Sequence, residues 1–562
     1  MVRPIIALAT LALAGCTVIP PAAEAPPPPT AEAGVPEVPL ALMKDVIAKL
    51  SSDEFEGRAP ATPAEAKTTA EIIARFQAAG LQPGNNGQWL QPVPTVEITA
   101  KNPSPLKVGG PAAQMSFAFG SDYVAGSYRV TPQTRINDSE LVFVGFGIVA
   151  PELGWNDYAG VDMKGKTAII LVNDPDYAVE GERPDGFRGR RMTYYGRWTY
   201  KFEEAAKQGA DAALIVHDTF PAAYGWNVVN SSWTGAQYYV RRADNAMGET
   251  KANGWIQKPV AEAILKAAGK DLATLTAAAG QKGFRPVPLG LKASLSLDNE
   301  IRNDVSHNVI GLLPGTTRAD EYVLYTAHWD HLGRCTPDAT GDDICNGALD
   351  NASGIAAIVA LAEMNRRAGP TPRSQAFAAV TLEESGLLGS EWYARNPVFP
   401  LDRTVGGVNI DGLGPVGPSR DATATGGDKS ELTAILNDTL AAMNLRLSPE
   451  AFPERGSYYR SDHFSLAKRG VPMFRVGRGL DLVEGGVEAG RAAVEDYTKN
   501  RYHQPSDEYS PDWRWEGIVQ ETELLYRLGR ALAEGTTWPN WHPGDEFRAI
   551  RDQSCASAPT GC

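Results

Sequence analysis

Along the chain the apolar positions fall into three successive patterns. Residues 53 to 84, "DEFEGRAPATPAEAKTTAEIIARFQAAGLQPG", predict one helix, with Thr62 as N-cap, Pro63 as first helical residue and Glu65 as capping-box partner. Ile72, Ile73 and Phe76 give it an apolar face, and Gly80 and Pro83 stop it. From about residue 120 to 295 the texture becomes short β-type runs, "ELVFVGFGIVA", "KTAIILVND" and "AALIVHD", broken by Gly, Pro and aromatic-rich loops. From about residue 305, strand runs alternate with helical ones: "YVLYTAH", "ASGIAAIVALAEMNRRAG", "QAFAAVTLEE" and "TVGGVNIDG". That alternation predicts an α/β fold, a doubly wound, mostly parallel sheet flanked by helices on both faces. In such sheets ligands bind at the carboxyl ends of the strands.

Those ends carry chemistry. The first strand runs into His328, Trp329, Asp330 and His331, and the loop that follows holds Asp350. The next ends in Glu383 and Glu384, and the one after in Asp411. If strand geometry persists, His328 and Asp330 share a face and His331 points away. This makes His328 a candidate metal ligand, Asp330 the carboxylate that orients its ring, and His331 a scaffold residue. Glu383 and Glu384 diverge by the same rule, so one can sit on a metal while the other takes a proton from water. A histidine and carboxylate set without cysteine suits zinc, with Mn²⁺ or Co²⁺ as poorer fits.

Composition narrows the setting. With 562 residues and 43% hydrophobic content, the chain can fill two or three domains. A formal charge of -14 without a basic block argues against a nucleic-acid partner. The start, "MVRPIIALATLALAGC", has one basic residue, an apolar run too short to span a bilayer, and Cys16. It resembles a bacterial lipoprotein signal, cleaved before a cysteine that takes the lipid, and the expected location is the cell envelope, outer membrane favoured. Residues 16–40 then form a Pro/Ala-rich tether. In an oxidising compartment the other four cysteines are expected to pair locally, Cys335 with Cys345 and Cys555 with Cys562.

Taken in order, "TAHWDHLG", "GALDNASGIAAIVALAE", "TLEESGLLGSEWYA", "NIDG", "YYRSDHFSLAKRGVP" and "YHQPSDEY" resemble the M28 family of co-catalytic zinc aminopeptidases. The middle, with "FVGFGIVAPELGWNDYAGVDMKGKTAIILVND", resembles an inserted protease-associated (PA) domain. The resemblance covers about residues 45 to 535. It implies a zinc-exopeptidase-type mixed sheet, two Zn²⁺ per chain and peptide substrates. His328 and Glu384 would serve different ions, Asp350 would bridge them, and Asp411 and His503 would complete the shells. It further implies a cis peptide after Asp350, Glu383 as general base toward a water shared by the metals, and Tyr458 as oxyanion donor with Tyr459 as rival. The expected layout is a signal over 1–15, the tether over 16–40, catalytic parts over 41–119 and 296–540, the PA-like insertion over 120–295, and a tail over 541–562.

Three other readings belong with this resemblance. One is a carboxypeptidase of the glutamate carboxypeptidase type, for which Arg455, Arg460 and Arg475 could supply a basic pocket. Another is a single-zinc, glutaminyl-cyclase-like acyltransferase, and the last is a catalytically silent, receptor-like member. The complete ligand set speaks against the last two. Oligomeric state leaves no trace in the sequence.

Overall fold

The computed structural model describes residues 34–557 apart from 111–112, 180–185 and 336. The expected signal, Cys16, most of the tether and Cys562 lie outside the described residues.

One sheet organises the catalytic half. Its strands are β1 (Val287–Leu313), β2 (Arg318–His328), β3 (Arg373–Val380), β4 (Thr404–Asn409), β5 (Asp421–Thr425), β6 (Arg446–Ser448) and β7 (Met473–Arg478). They lie in the order β1-β3-β2-β4-β7-β5-β6, with β3, β2, β4 and β7 mutually parallel and β1 and β5 antiparallel to their inner neighbours. The expected mixed, mostly parallel α/β sheet is therefore present. Every residue of β3 is buried, and its side chains alternate between two cores. Phe377 and Ala379 enter the larger core, while Ala376, Ala378 and Val380 enter the smaller one on the opposite face. Burial on both faces explains why "QAFAAV" reads as a continuous apolar run. Helix α2 (Ser353–Ala368) packs against α1 (Leu40–Leu50) and α3 (Trp515–Glu534). Its small residues, Ala356, Ala357, Ala360 and Ala362, are all buried and let it sit close on the sheet.

The helix expected to start at Pro63 and stop at Gly80 forms as Pro63–Ala78, but the capping box does not. The Glu65 carboxylate accepts from the main-chain N–H of Ala61 at 2.6 Å and contacts His307 Nδ1 at 2.8 Å. The Thr62 hydroxyl donates back to Ala59. A tertiary contact with β1 thus displaces the local pairing.

The second module grows out of a long antiparallel ribbon, in which Leu90–Lys101 pairs with β1 from Leu90–Val309 to Lys101–Asp298. Beyond it, Gln133–Phe143, Thr167–Leu171, Ala212–His217 and Ala252–Gln257 form a parallel set in that order. Apolar cores cover both faces of it. Leu106 and Val108 belong to one of these cores, since Leu106–Gly110 pairs with β1 at residues 292–294. The module therefore begins before the expected boundary at residue 120, and Leu297 carries it past 295. Among the described residues no helix is long and apolar enough to cross a membrane.

Candidate metal centre

The carboxyl ends of β2, β3 and β4 meet the start of α2 and the loop after residue 500. His328 is the last residue of β2, and its Nε2 lies 3.2 Å from Asp350 Oδ1 and 3.6 Å from Asp411 Oδ1. On the other side of Asp350, Oδ2 lies 3.5 Å from His503 Nε2, which is 3.0 Å from Glu384 Oε2. The five expected ligand residues are thus brought together as two donor groups that share one carboxylate. Asp350 Oδ1 and His503 Nε2 are buried and make no hydrogen bond. Buried polar atoms without partners are uncommon in folded proteins, and oxygen and imidazole donors converging in this way suit a divalent cation. The Asp350–Asn351 peptide is cis.

His331 points toward the ligand group and not away from it. Its Nδ1 lies 2.6 Å from Glu384 Oε1, its Nε2 has no partner, and with Asp350 and Glu384 it forms a further group able to hold an ion. It points toward the site because β2 stops at His328, so strand alternation does not extend to residue 331. The same ending changes the role of Asp330. Its carboxylate stands 3.8 Å from His328 Nδ1, which instead meets the Asp330 main-chain oxygen at 3.1 Å. The carboxylate accepts the main-chain N–H groups of Glu383 and Glu384 at 3.1 and 3.3 Å. It positions both glutamates at once.

Electrostatics separate these two glutamates. Burial pushes every carboxyl here upward, yet His503 and His331 hold Glu384 down to about 2. Asp411 is also held at about 2, by Arg475 and His328. Glu383 goes the other way: burial, reinforced by Asp411, Glu384 and Asp462, lifts its carboxyl well above the ordinary range against the pull of His328. Such a group has a raised proton affinity, as a general base requires.

Several supporting residues were not singled out in the sequence. Asp507 accepts the N–H groups of Leu349 and Asp350 at 3.1 Å each and takes the Tyr497 hydroxyl at 3.2 Å. Ser461 donates to Asp411 Oδ2 at 2.6 Å, and receives from Asn409, whose amide oxygen takes the Thr326 hydroxyl. Both Ser461 and Asp507 lie inside quoted motifs, "SDH" and "QPSDEY", which could have pointed to them. Arg58 is buried and donates to four main-chain oxygens: Leu50 at 2.7 Å, Trp329 at 2.9 Å, Asn346 at 2.6 Å and Gly347 at 2.9 Å. It ties the end of β2 to the loop that delivers Asp350. That loop is also stapled by the expected Cys335–Cys345 disulfide. Cys555 is disulfide-bonded as well.

Tyr458 is not brought to the ligand group. Its hydroxyl donates to the Met473 carbonyl at 3.1 Å, and that of Tyr459 donates to Glu546 Oε1 at 3.2 Å. Both phenols face the Lys429, Asp545 and Glu546 cluster, which draws them into the core behind the site. The phenol that does stand at the ligands is Tyr502, whose ring stacks on His503 with centroids 3.8 Å apart. Burial lifts its hydroxyl to about 12, so at neutral pH it is a hydrogen-bond donor.

The cluster behind the site gives a stability prediction. Buried Lys429 donates to Asp545 Oδ2 at 2.8 Å and to both Glu546 oxygens at 2.9 Å. Burial raises the Glu546 carboxyl, but Lys429 more than reverses this and holds it below the ordinary range. A carboxyl depressed on folding adds stability above its unfolded pKa and loses it as pH falls through the folded one. Lys429→Met is expected to destabilise by about 3–5 kcal/mol at neutral pH, because it strands buried carboxylates. Urea unfolding at pH 7 and pH 3.5 should show a smaller difference in acid.

Comparison with known proteins agrees with this geometry. Residues 308–526 match the model of Peptidase family M28. That segment is similar to an M28 peptidase domain. It contains β2, β3, β4, β7 and all five residues of the shared-carboxylate centre. Aminopeptidase NAALADL1 of Mus musculus is 29% identical over 138 residues, which is 23% of this chain and 17% of that protein. The Rattus norvegicus protein of that name gives the same figures. The chain thus matches these curated relatives over less than a fifth of their length. Among solved structures, an aminopeptidase from Aneurinibacillus sp. strain AM-1 superposes with a TM-score of 0.50 at 21% identity. That match covers 89% of this chain and 96% of the other, so the likeness in fold extends beyond residues 308–526 to the second module.

Proposed function

We propose that the chain is a zinc-dependent exopeptidase that removes N-terminal residues from peptides. The observation that carries this reading is the Asp350 carboxylate shared by two donor groups, with Glu383 beside them. His328, Asp411 and one Asp350 oxygen would hold one zinc ion, and His503, Glu384 and the other oxygen a second. His331 competes for the second site through its contact with Glu384. Bound there, two ions supply Lewis acidity to the scissile carbonyl and lower the pKa of the attacking water.

The protein side chains do the rest. Glu383 takes the proton from the nucleophilic water and returns it to the departing amine. Asp330 fixes the main chain of both glutamates, so base and ligand keep their relative placement. Tyr502 replaces Tyr458 as donor to the tetrahedral oxyanion, since its protonated phenol stands over His503. We further read the second module as a PA-like domain that walls one side of the cleft, and Cys16 as a lipid-bearing anchor that tethers the enzyme in the cell envelope.

The test is a chelator-controlled assay on peptides with free and with acetylated N-termini. The reading expects cleavage of the free-amino set, loss of it with chelator and return of it with zinc. Cleavage of the acetylated set alone would replace this reading with the carboxypeptidase one.

A further inference from the structure

Asp350 reaches both donor groups, and each side of it is held by a different clamp. On the side of β4 the clamp is the fully buried Asn351, whose Nδ2 donates to the Ile410 carbonyl at 3.0 Å and whose Oδ1 accepts the N–H of Gly412 at 3.0 Å. Those two groups flank Asp411, whose carboxylate also takes the Ser461 hydroxyl at 2.6 Å. The bridging residue is thereby seated beside the donor group of His328 and Asp411 through contacts that leave the His503 segment out.

On the other side the clamp is Asp507. It is buried, and three successive N–H groups converge on it: Ala348 donates to its main-chain oxygen at 3.0 Å, Leu349 to Oδ1 at 3.1 Å and Asp350 to Oδ2 at 3.1 Å. These residues open the turn Ala348–Ala352 ahead of α2, and the first N–H groups of a helical segment have no partner inside it. Asp507 supplies that partner from only four residues beyond the ligand His503. His503 itself stands at φ 59°, a left-handed backbone that a residue with a Cβ keeps only when its surroundings hold it. The turn around it is tied from within, Tyr502 N–H to the Tyr497 carbonyl at 2.9 Å and Asp507 N–H to that of Gln504 at 3.1 Å. The Tyr497 hydroxyl, near the end of the helix Gly486–Asn500, donates to Asp507 Oδ2 at 3.2 Å. One carboxylate therefore fastens the segment that carries His503 to the segment that carries the bridging Asp350.

We propose that Asp507 is the positioning residue of the metal site built on His503 and Glu384, and that the site built on His328 and Asp411 is positioned separately, by Asn351 and Ser461. The proposal rests on the two-zinc exopeptidase reading and adds that the two ions have separate supports. Asparagine in place of Asp507 keeps the size of the side chain but turns an NH₂ group toward one of the N–H donors of Leu349 and Asp350, so one contact to that loop is lost. His503 is then free to drift from Asp350 and Glu384, while Asp350 stays beside Asp411.

The test measures zinc, not turnover. Chelator competition gives the stepwise zinc dissociation constants of the full-length wild type, Asp507→Asn and Ser461→Ala, and anomalous diffraction from crystals at limiting zinc locates each ion. In Asp507→Asn one constant should rise by about 10- to 100-fold, with occupancy lost at the His503–Glu384 site and kept at the His328–Asp411 site. Ser461→Ala should show the reverse pattern. Equal weakening at both sites, unchanged constants, or loss confined to the His328–Asp411 site in Asp507→Asn would overturn the proposal and leave the two-zinc reading intact. A wild type that holds a single ion would overturn that reading and the proposal with it. If Asp507→Asn does not fold, Tyr497→Phe, which removes only the phenol from Asp507, decides by the same readout: selective loss at the His503–Glu384 site supports the proposal, and equal or absent loss overturns it.

Discussion

Glu383→Gln is expected to lower kcat by about 10²–10⁴-fold while metal content stays at the wild-type level. Glutamine preserves the size of the side chain but cannot take a proton from water. Glu383 is surrounded by Asp411, Glu384 and Asp462, which together with burial favour its protonated form, whereas its neighbour Glu384 is held ionised by His503 and His331. The structure also allows a rival role, because His328, Glu383 and Glu384 could themselves form a group around an ion. Metal analysis beside the kinetics separates the two. A base leaves metal binding intact when replaced by glutamine, and a ligand does not. Near wild-type turnover with metal bound would remove Glu383 from the chemistry altogether.

The second large effect is on stability. Arg58→Met should destabilise the protein by about 3–5 kcal/mol, measured by urea unfolding of the metal-free protein. The variant leaves the carbonyls of Leu50, Trp329, Asn346 and Gly347 without their buried donor. It also removes a cation that burial pulls down to about 10, still charged at neutral pH, from the surroundings of Asp507, Asp350, Asp330 and Glu384. Arg58→Lys should recover only part of the loss, because three donors on one nitrogen cannot reproduce the planar fork that reaches four acceptors. A loss below about 1 kcal/mol, the ordinary range for a surface pair, would mean that the four contacts do not hold the site together.

What the sequence made legible follows from the geometry of parallel sheets. His328, Glu383, Glu384 and Asp411 all lie at or just beyond the ends of β2, β3 and β4, where apolar runs stop and polar residues begin. Periodicity finds such places without knowledge of partners. Asp350 was legible as a polar residue in the loop after β2, but its bridging place, and His503 altogether, were indicated only by resemblance to a family. Arg58 was illegible for a different reason: it binds main-chain groups, and the residues at those positions carry no matching side-chain signal. Alternation did not place Asp330 and His331 correctly because β2 ends at His328, before either residue is reached. Tyr458 was misplaced because its hydroxyl goes to a β7 carbonyl, a choice made by packing around Lys429 and Phe547. In the second module, residues 106–110 were missed because they pair with residues 292–294, almost two hundred positions away.

Elemental analysis of the wild type and of Asp350→Asn, with activity measured on the same samples, tests the shared-carboxylate centre most directly. The account predicts about two zinc ions per chain in active wild-type protein, and loss of both occupancy and activity in Asp350→Asn. One ion per chain at full activity, or full occupancy and activity in Asp350→Asn, would contradict it.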